Sequence, residues 1–389
     1  MDTLTRIYKK LLSETDTGFK RYLYHEIDWN SQIVGIKGAR GVGKTTLMLQ
    51  YIKDELDPED ALYVNADDIY FSEHRLIDLA EILVNRGIHH FFIDEIHKYK
   101  DWLKELKLIY DYYGELKVVF SGSSVLDLNK GSSDLSRRAV MYWLAGLSFR
   151  EYLAIFRKTS VPSFTLDEIL AGIPEKISME TPLLHFAEYL KSGSYPFSRD
   201  GGFNVKLRQI ISQTLENDIP VYASMSSSMG RKFKRLLSVI ARSVPFKPNM
   251  SKLAEIIGVS RNQMPEYLKY IEDAGMIMQL RDDTEGIRGL GKVEKVYLDN
   301  PNLIYALADG EVNIGNVRET FFLNQMKVRN IVVSSSVSDF TIGDRTFEIG
   351  GKSKGLKQIE KAREGYVVKD DIVYSSGNIL PLWWFGLNY

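Results

Sequence analysis

The sequence predicts an α/β protein led by a doubly wound parallel sheet, and three observations carry that prediction. Short apolar runs at 33–36, 62–65, 91–94 and 117–120 alternate with helical patterns, as strands alternate with crossover helices. The first run passes directly into Gly38-Ala39-Arg40-Gly41-Val42-Gly43-Lys44-Thr45 and then into a helical pattern over 46–52. The third run, Phe91-Phe92-Ile93, closes on Asp94-Glu95. In chain order the prediction is a parallel-sheet domain over 1–150, a helical lid or connector over 151–224, a winged helix–turn–helix over 225–285 and a second α/β domain over 286–389.

Length and composition bound the alternatives. A chain of 389 residues exceeds one ordinary core, so several domains are expected. Hydrophobic residues make up 44% and charged residues 26%, the balance of an ordered globular protein. No apolar run reaches the roughly 18–20 residues that cross a bilayer. The first twenty residues lack the apolar core of a signal peptide, so no membrane partner is expected. With no cysteine there is no disulfide framework or thiolate metal site, and a cytoplasmic protein is expected. A net charge of −1 excludes a uniformly basic nucleic-acid binder but leaves room for a local patch.

Residues 38–45 fit G-x-x-x-x-G-K-[ST] at every fixed position, in the strand–loop–helix setting that the motif requires. Gly38, Gly41 and Gly43 let backbone N–H groups turn inward around phosphate oxygens. The helix start adds partial positive charge. ATP is therefore expected on Gly38, Ala39, Arg40, Gly41, Val42, Gly43, Lys44, Thr45 and Thr46, with Lys44 on the β- and γ-phosphates and the Thr45 hydroxyl on Mg²⁺. Asp94, at the carboxyl end of a parallel strand, is expected in the Mg²⁺ shell. Glu95 suits a general base that polarises the attacking water, which favours hydrolysis over phosphotransfer. His97 and Lys98 read as surface or substrate-side groups. Ser121 ends the 117–120 run; in P-loop ATPases with an additional strand, a polar residue there meets the γ-phosphate or the lytic water. Ser123 is the second candidate. The only Asn-Lys pair, in Asn129-Lys130-Gly131-Ser132, lacks the aspartate of a guanine reader, so adenine is the expected base.

These motifs resemble those of prokaryotic AAA-type ATPases fused to a C-terminal domain of unknown function. The resemblance rests on GARGVGKTTL, on FFIDEIHK with Trp102 after it, on VVFSGSS, and on LSFREYL over 147–153. In such proteins the preceding segment usually reads Leu-Ala-Gly-Arg. Here it is Leu135-Ser136-Arg137-Arg138, so the match lands on Arg138 with Arg137 in the glycine's place. The resemblance implies that Arg138 stabilises γ-phosphate charge, in cis or from a neighbouring subunit of an oligomer. The turn at Ser192-Gly193-Ser194-Tyr195-Pro196-Phe197 resembles the family's Gly-Gly-x-Pro turn.

Apolar residues recur at helical spacing from 232 to 280, with Ser251 and Ser260 or Asn262 as candidate caps and Gly258 and Gly275 as helix ends. Between 231 and 270, nine Lys and Arg against two Glu give a local charge of +7, which favours phosphate contact and makes nucleic acid a candidate partner. Arg261, Asn262 and Gln263 could read base edges, yet Glu266, Glu272 and Asp273 lie close by and Pro265 limits the helix start. A protein partner is the competing expectation.

The last hundred residues resemble restriction-endonuclease-like folds in the order of their charged groups. Glu319 lies in the helical GNVRETFFLNQM, Asp339 closes the strand-like VVSSSVSDF, and Glu348 opens onto Lys352, with Gln358 on the next helix. The resemblance implies a nuclease-like site of Glu319, Asp339, Glu348 and Lys352. The usual acid-x-Lys spacing spans roughly 6.6 Å of strand, whereas four residues span roughly 13 Å. Parity keeps Glu348 and Lys352 on one face, but only a bend at Gly350-Gly351 would close the distance. The expectation is a fold retained for packing or partner contact rather than for cutting. The closing ILPLWWFGLNY, with Trp383 and Trp384, reads as an edge strand or core plug. The function expected of the whole is Mg²⁺-dependent ATP hydrolysis that couples nucleotide state to a partner or nucleic acid. A slow nucleotide-gated switch and an ATP-licensed nuclease are the alternatives.

Overall fold

Each apolar run read as a strand in the first 150 residues forms one, and a fifth strand joins them. The computed structural model describes residues 2–122, 135, 137–173, 179–223, 225–243, 245–283, 291–308, 310–360 and 362–389, with the side chains of Tyr222, Leu356 and Gln358 also left aside. Ser123, Ser136 and the 129–132 stretch lie outside the described residues. The chain divides into two compact units, Met1–Ala145 and Gly146–Tyr389.

In the first unit the elements run α1 (Asp2–Glu14), β1 (Ile33–Lys37), α2 (Lys44–Glu55), β2 (Ala61–Asn65), α3 (Leu76–Asn85), β3 (His90–Asp94), α4 (Trp102–Tyr112), β4 (Lys117–Gly122) and β5 (Ala139–Trp143). All five strands are parallel, in the order β2-β3-β4-β1-β5. Ile33, Val34, Ile36, Phe91, Phe92, Ile93, Val118 and Phe120 are almost wholly buried. Burial on both faces is why these strands read as unbroken apolar runs. The sequence reading missed β5 because it is an edge strand: Val140 and Trp143 are 43% and 38% exposed, and its mixed pattern blends into the arginines before it. The order sets β4 between β1 and β3, so the carboxyl ends of the three motif strands lie side by side.

The second unit begins with helices α5 (Phe149–Arg157), α6 (Leu166–Ala171), α7 (Pro182–Ser192), α8 (Phe203–Gln213) and α9 (Ile219–Tyr222), the last two joined by a π turn at Thr214–Asp218. Ser148 starts α5 with a reciprocal capping box to Glu151. Next come α10 (Ser227–Ser243), α11 (Met250–Ile257) and α12 (Met264–Asp273), then an antiparallel hairpin of β6 (Ile277–Arg281) and β7 (Val293–Leu298). Asn249, not Ser251, caps α11, by accepting from the Lys252 N–H. Ser260 makes a capping box with Gln263 at the turn before α12.

After α13 (Pro301–Leu307) comes α14 (Ile314–Met326), buried on nearly every side from Val317 onward. It covers a mixed sheet of β8 (Val333–Ser334), β9 (Phe340–Ile342), β10 (Arg345–Gly350), β11 (Glu364–Lys369) and β12 (Ile379–Pro381), in the order β12-β11-β10-β9-β8. β10, β11 and β12 are parallel, and β8 and β9 antiparallel. Phe322 on α14 stacks among Phe340, Phe347 and Phe385, ring centroids 5.2, 5.3 and 4.9 Å away. The terminal apolar run supplies both edge strand β12 and the short helix Leu382–Leu387, whose Trp383 and Trp384 are buried. Among the described residues, no helix is long and apolar enough to cross a membrane.

Candidate functional site

The phosphate loop is shaped by two glycines. Gly43 takes φ 101°, a left-handed backbone that a side chain would strain. A Cβ on Gly38 would lie 2.5 Å from the Leu144 carbonyl oxygen, so β1 can turn this tightly beside β5 only with glycine there. Helix α2 starts at Lys44, which turns its unpaired amides toward the loop. Buried Arg21, which sequence reasoning missed, donates to the Val42 carbonyl at 2.5 Å and to the Ala145 carbonyl at 2.7 Å. Nothing in its sequence context announces that role.

Lys44 is buried and donates from Nζ to the carbonyls of Gly38 and Ala39 at 2.9 and 3.0 Å. Burial lowers its pKa to about 8 against the pull of Glu95 and Asp94, so the ammonium still carries its charge at neutral pH. Arg40 and Thr46 lie at the open side of the loop, Thr46 exposed and Arg40 partly so.

Asp94 collects donors from four directions. Thr45 Oγ1 donates to its Oδ2 at 2.5 Å and Tyr63 OH to the same oxygen at 2.8 Å. Ser121 Oγ donates to Oδ1, as does the Glu95 N–H at 3.1 Å. The interposed β4 makes this possible: Ser121 lies level with Ile36 of β1, two residues before the loop. Thr45, Asp94 and Ser121 are thus brought together as the sequence reading required, and Tyr63 at the end of β2 is an added member. A hydroxyl and a carboxylate this close are hard oxygen donors of the kind that would suit Mg²⁺. The residues fit that ion.

Glu95 follows at φ 52°, left-handed without being glycine, which turns its side chain away from the strand line. Its Oε2 stands 4.0 Å from Arg40 Nη2 and 3.6 Å from His97 Nε2. Of the surface or substrate-side placement expected for His97, the surface alternative does not hold: its side chain is 4% exposed, because the short turn Ile96–Lys98 folds it inward beside Glu95 while Lys98 is exposed.

Residues 30–153 match the AAA domain family, and residues 184–313 match a domain of unknown function, DUF8612. The first unit holds an AAA domain. Protein MJ1637 of Methanocaldococcus jannaschii is 24% identical over 272 residues, 64% of this chain and 56% of that protein. The chain therefore spans little more than half of this relative. Among solved structures, the Walker-type ATPase PABY2304 of Pyrococcus abyssi aligns at TM-score 0.44 and 13% identity, over 72% of this chain and 91% of that one. PCH-2 of C. elegans aligns at 0.27 and 13%, over 69% and 67%.

Within the AAA domain, Arg138 does not join the phosphate loop. It precedes β5, whose Ala139 pairs with Ile33 at the amino end of β1, about 13 Å of strand from the loop side. Its guanidinium meets Asp111 at 3.2 Å and lies over the Tyr110 ring. This placement puts Arg138 away from its own phosphate loop.

Outside the AAA domain, the basic 231–270 stretch is partly neutralised. Lys234 pairs with Glu216, Lys247 with Glu294 and Lys269 with Asp273. Arg261, Asn262 and Gln263 are exposed, but the Gln263 side chain is engaged in the Ser260 cap.

The C-terminal sheet gathers Glu319, Asp339 and Glu348, and corrects two details. Asp339 precedes β9 instead of closing a strand, and its Oδ2 accepts from the Ile349 N–H at 2.9 Å. Lys352 is not the partner of Glu348; Lys354 is. Strand β10 stops at Gly350, and the Lys354 N–H closes a turn onto the Gly351 carbonyl at 3.0 Å. The strand's two-residue parity therefore does not extend to 352, and the exposed Lys352 points elsewhere. A Cβ on Gly350 would lie 2.7 Å from Lys354 Cβ, so the bend depends on glycine. Lys295 Nζ sits 3.5 Å from Glu319 and 3.4 Å from Asp339, while Tyr297 OH donates to Glu319 at 2.8 Å. Burial raises both carboxyls; Asp339 adds to the rise at Glu319, and Glu348 adds to it at Asp339. The Gln358 side chain lies outside the described residues.

Proposed function

We propose that the protein binds ATP on residues 38–46 and hydrolyses it with Mg²⁺. The observation that carries this reading is the convergence on one carboxylate, Asp94, of the loop hydroxyl Thr45 and the β4 hydroxyl Ser121. In this reading Lys44 and the loop amides hold the phosphates, and Ser121 orients the γ-phosphate or the water. Glu95 accepts the proton of the attacking water as the new P–O bond forms and the β–γ bridge breaks. Thr45 and Asp94 hold Mg²⁺, which when bound neutralises charge on the phosphate oxygens.

Arg138 acts, in this reading, from a neighbouring subunit: it is surface-placed and far from its own loop. Phosphate release should require Mg²⁺ and stop in excess EDTA, with a specific rate that rises with protein concentration. Arg138→Ala should remove that rise by about 10³-fold at saturation. A rate independent of concentration and untouched by Arg138→Ala would sink the trans role, and metal-independent release would sink the Mg²⁺ reading.

For the region over 225–285 the reading is a cytoplasmic winged helix that meets nucleic acid or a protein partner, with strand β7 completing its hairpin. The helix and hairpin order supports it. For the C-terminal sheet the reading is a nuclease-like scaffold that does not cut. Its support is that Glu319 and Asp339 are paired with Lys295, and Glu348 with Lys354. Incubation of DNA or RNA with Mg²⁺ or Mn²⁺ should leave the strands intact. Cleavage that disappears in both Asp339→Ala and Glu348→Ala would overturn this.

A further inference from the structure

His97 is buried, yet neither of its ring nitrogens has a hydrogen-bond partner. An unpaired buried polar group costs free energy, so each one calls for a physical explanation, of which a catalytic role is one. The local chain explains its direction. Glu95 takes a left-handed backbone, and the turn Ile96–Lys98 then folds the imidazole back beside the Glu95 carboxylate. His97 Nε2 stands 3.6 Å from Glu95 Oε2, about half an ångström beyond hydrogen-bond distance. Arg40 approaches the same oxygen at 4.0 Å. Arg40 belongs to the phosphate loop, so bound phosphates compete for its guanidinium, whereas His97 belongs to the β3 end and stays beside Glu95. The imidazole is neutral: burial, then Lys98, Lys44 and Arg40, push its pKa down to about 3. It therefore offers an N–H donor without adding a charge.

We propose that His97 is a positioning residue for Glu95, donating from Nε2–H to Oε2 in the nucleotide-bound state so that Oε1 is aimed at the attacking water. The proton of that water passes to Oε1, the oxygen bonds to the γ-phosphorus, and ADP leaves with the bridging oxygen. His97 itself exchanges no proton. The inference rests on the reading of Glu95 as the base.

The test compares His97→Phe and His97→Gln in the full chain, with ATP binding followed separately by a fluorescent ATP analogue. His97→Phe keeps the ring volume without a donor, and kcat should fall about 10- to 100-fold, the worth of one hydrogen bond to a charged group, with KM and analogue affinity unchanged. His97→Gln, whose amide nitrogen can take the Nε2 place, should restore kcat to within a few-fold of wild type. Added to Glu95→Gln, His97→Phe should cost nothing further. Parallel loss of nucleotide affinity, failure of glutamine to rescue, or an equal loss in the Glu95→Gln background would overturn the positioning role and leave His97 as packing. Loss of turnover in Glu95→Gln with full kcat in His97→Phe would overturn it while sparing the base. Undiminished turnover in Glu95→Gln would remove the base and the proposal together.

Discussion

Glu95→Gln should lower ATP turnover by about 10²–10⁴-fold, the usual worth of a placed general base. The amide has nearly the shape of the carboxylate but cannot take the proton of the attacking water. ATP affinity should change little, since the proposed phosphate-binding groups are Lys44, Thr45 and the loop amides. Stability should stay within about 1 kcal/mol, because the substitution weakens a 4.0 Å pair with Arg40 between partly exposed side chains. Single-turnover phosphate release beside a binding titration separates the two quantities. Affinity that falls in step with turnover would mean that Glu95 shapes the pocket instead of acting on water.

Asp94→Asn should give the opposite division. The carboxylate accepts from Thr45 and Tyr63 on one oxygen and from Ser121 and the Glu95 N–H on the other. An amide can keep its oxygen toward the Glu95 N–H, which can only donate, and turn its NH₂ toward the two hydroxyls, which can rotate to accept. The nucleotide-free protein should therefore lose only about 1–3 kcal/mol. If Asp94 holds Mg²⁺ as proposed, the metal would lose its charged ligand, and the Mg²⁺ concentration for half-maximal turnover should rise about 10- to 100-fold. Chemical denaturation in EDTA reads the first effect and a Mg²⁺ titration of phosphate release the second. An unchanged Mg²⁺ requirement with lowered stability would reduce Asp94 to a structural acceptor. Glu95→Gln should leave that requirement where it is, so the pair of variants distinguishes metal binding from proton transfer.

How much of this site the sequence discloses depends on the range of each interaction. Lys44, Thr45 and the loop glycines are legible because phosphate binding needs consecutive backbone amides, which appear as spacing in one segment. Asp94 and Ser121 are legible because a buried parallel strand shows as an apolar run with a polar group at its end. Tyr63, Arg21 and His97 are not. Tyr63 needs the neighbouring strand to be known, Arg21 reaches Val42 across 21 positions, and the inward turn of His97 follows from the backbone of Glu95. The family resemblance leaves open whether Arg138 serves its own phosphates or a neighbour's, and strand direction is what puts it at the far end: a residue entering a parallel strand stands opposite the phosphate loop.

By itself the sequence determined the alternation of strands and helices, the phosphate loop with its acid, the helical setting of Glu319 and the glycine pair that follows Glu348. These are properties of segments, set by apolar periodicity and by side chains a few residues apart. Tertiary structure alone decided which strand lies between β1 and β3, which end of the sheet Arg138 occupies, and that Lys354, not Lys352, meets Glu348. Strand parity is a local rule, and it ends where the hydrogen-bonded strand ends. Beyond Gly350 a glycine-permitted turn, held by packing, chooses the partner.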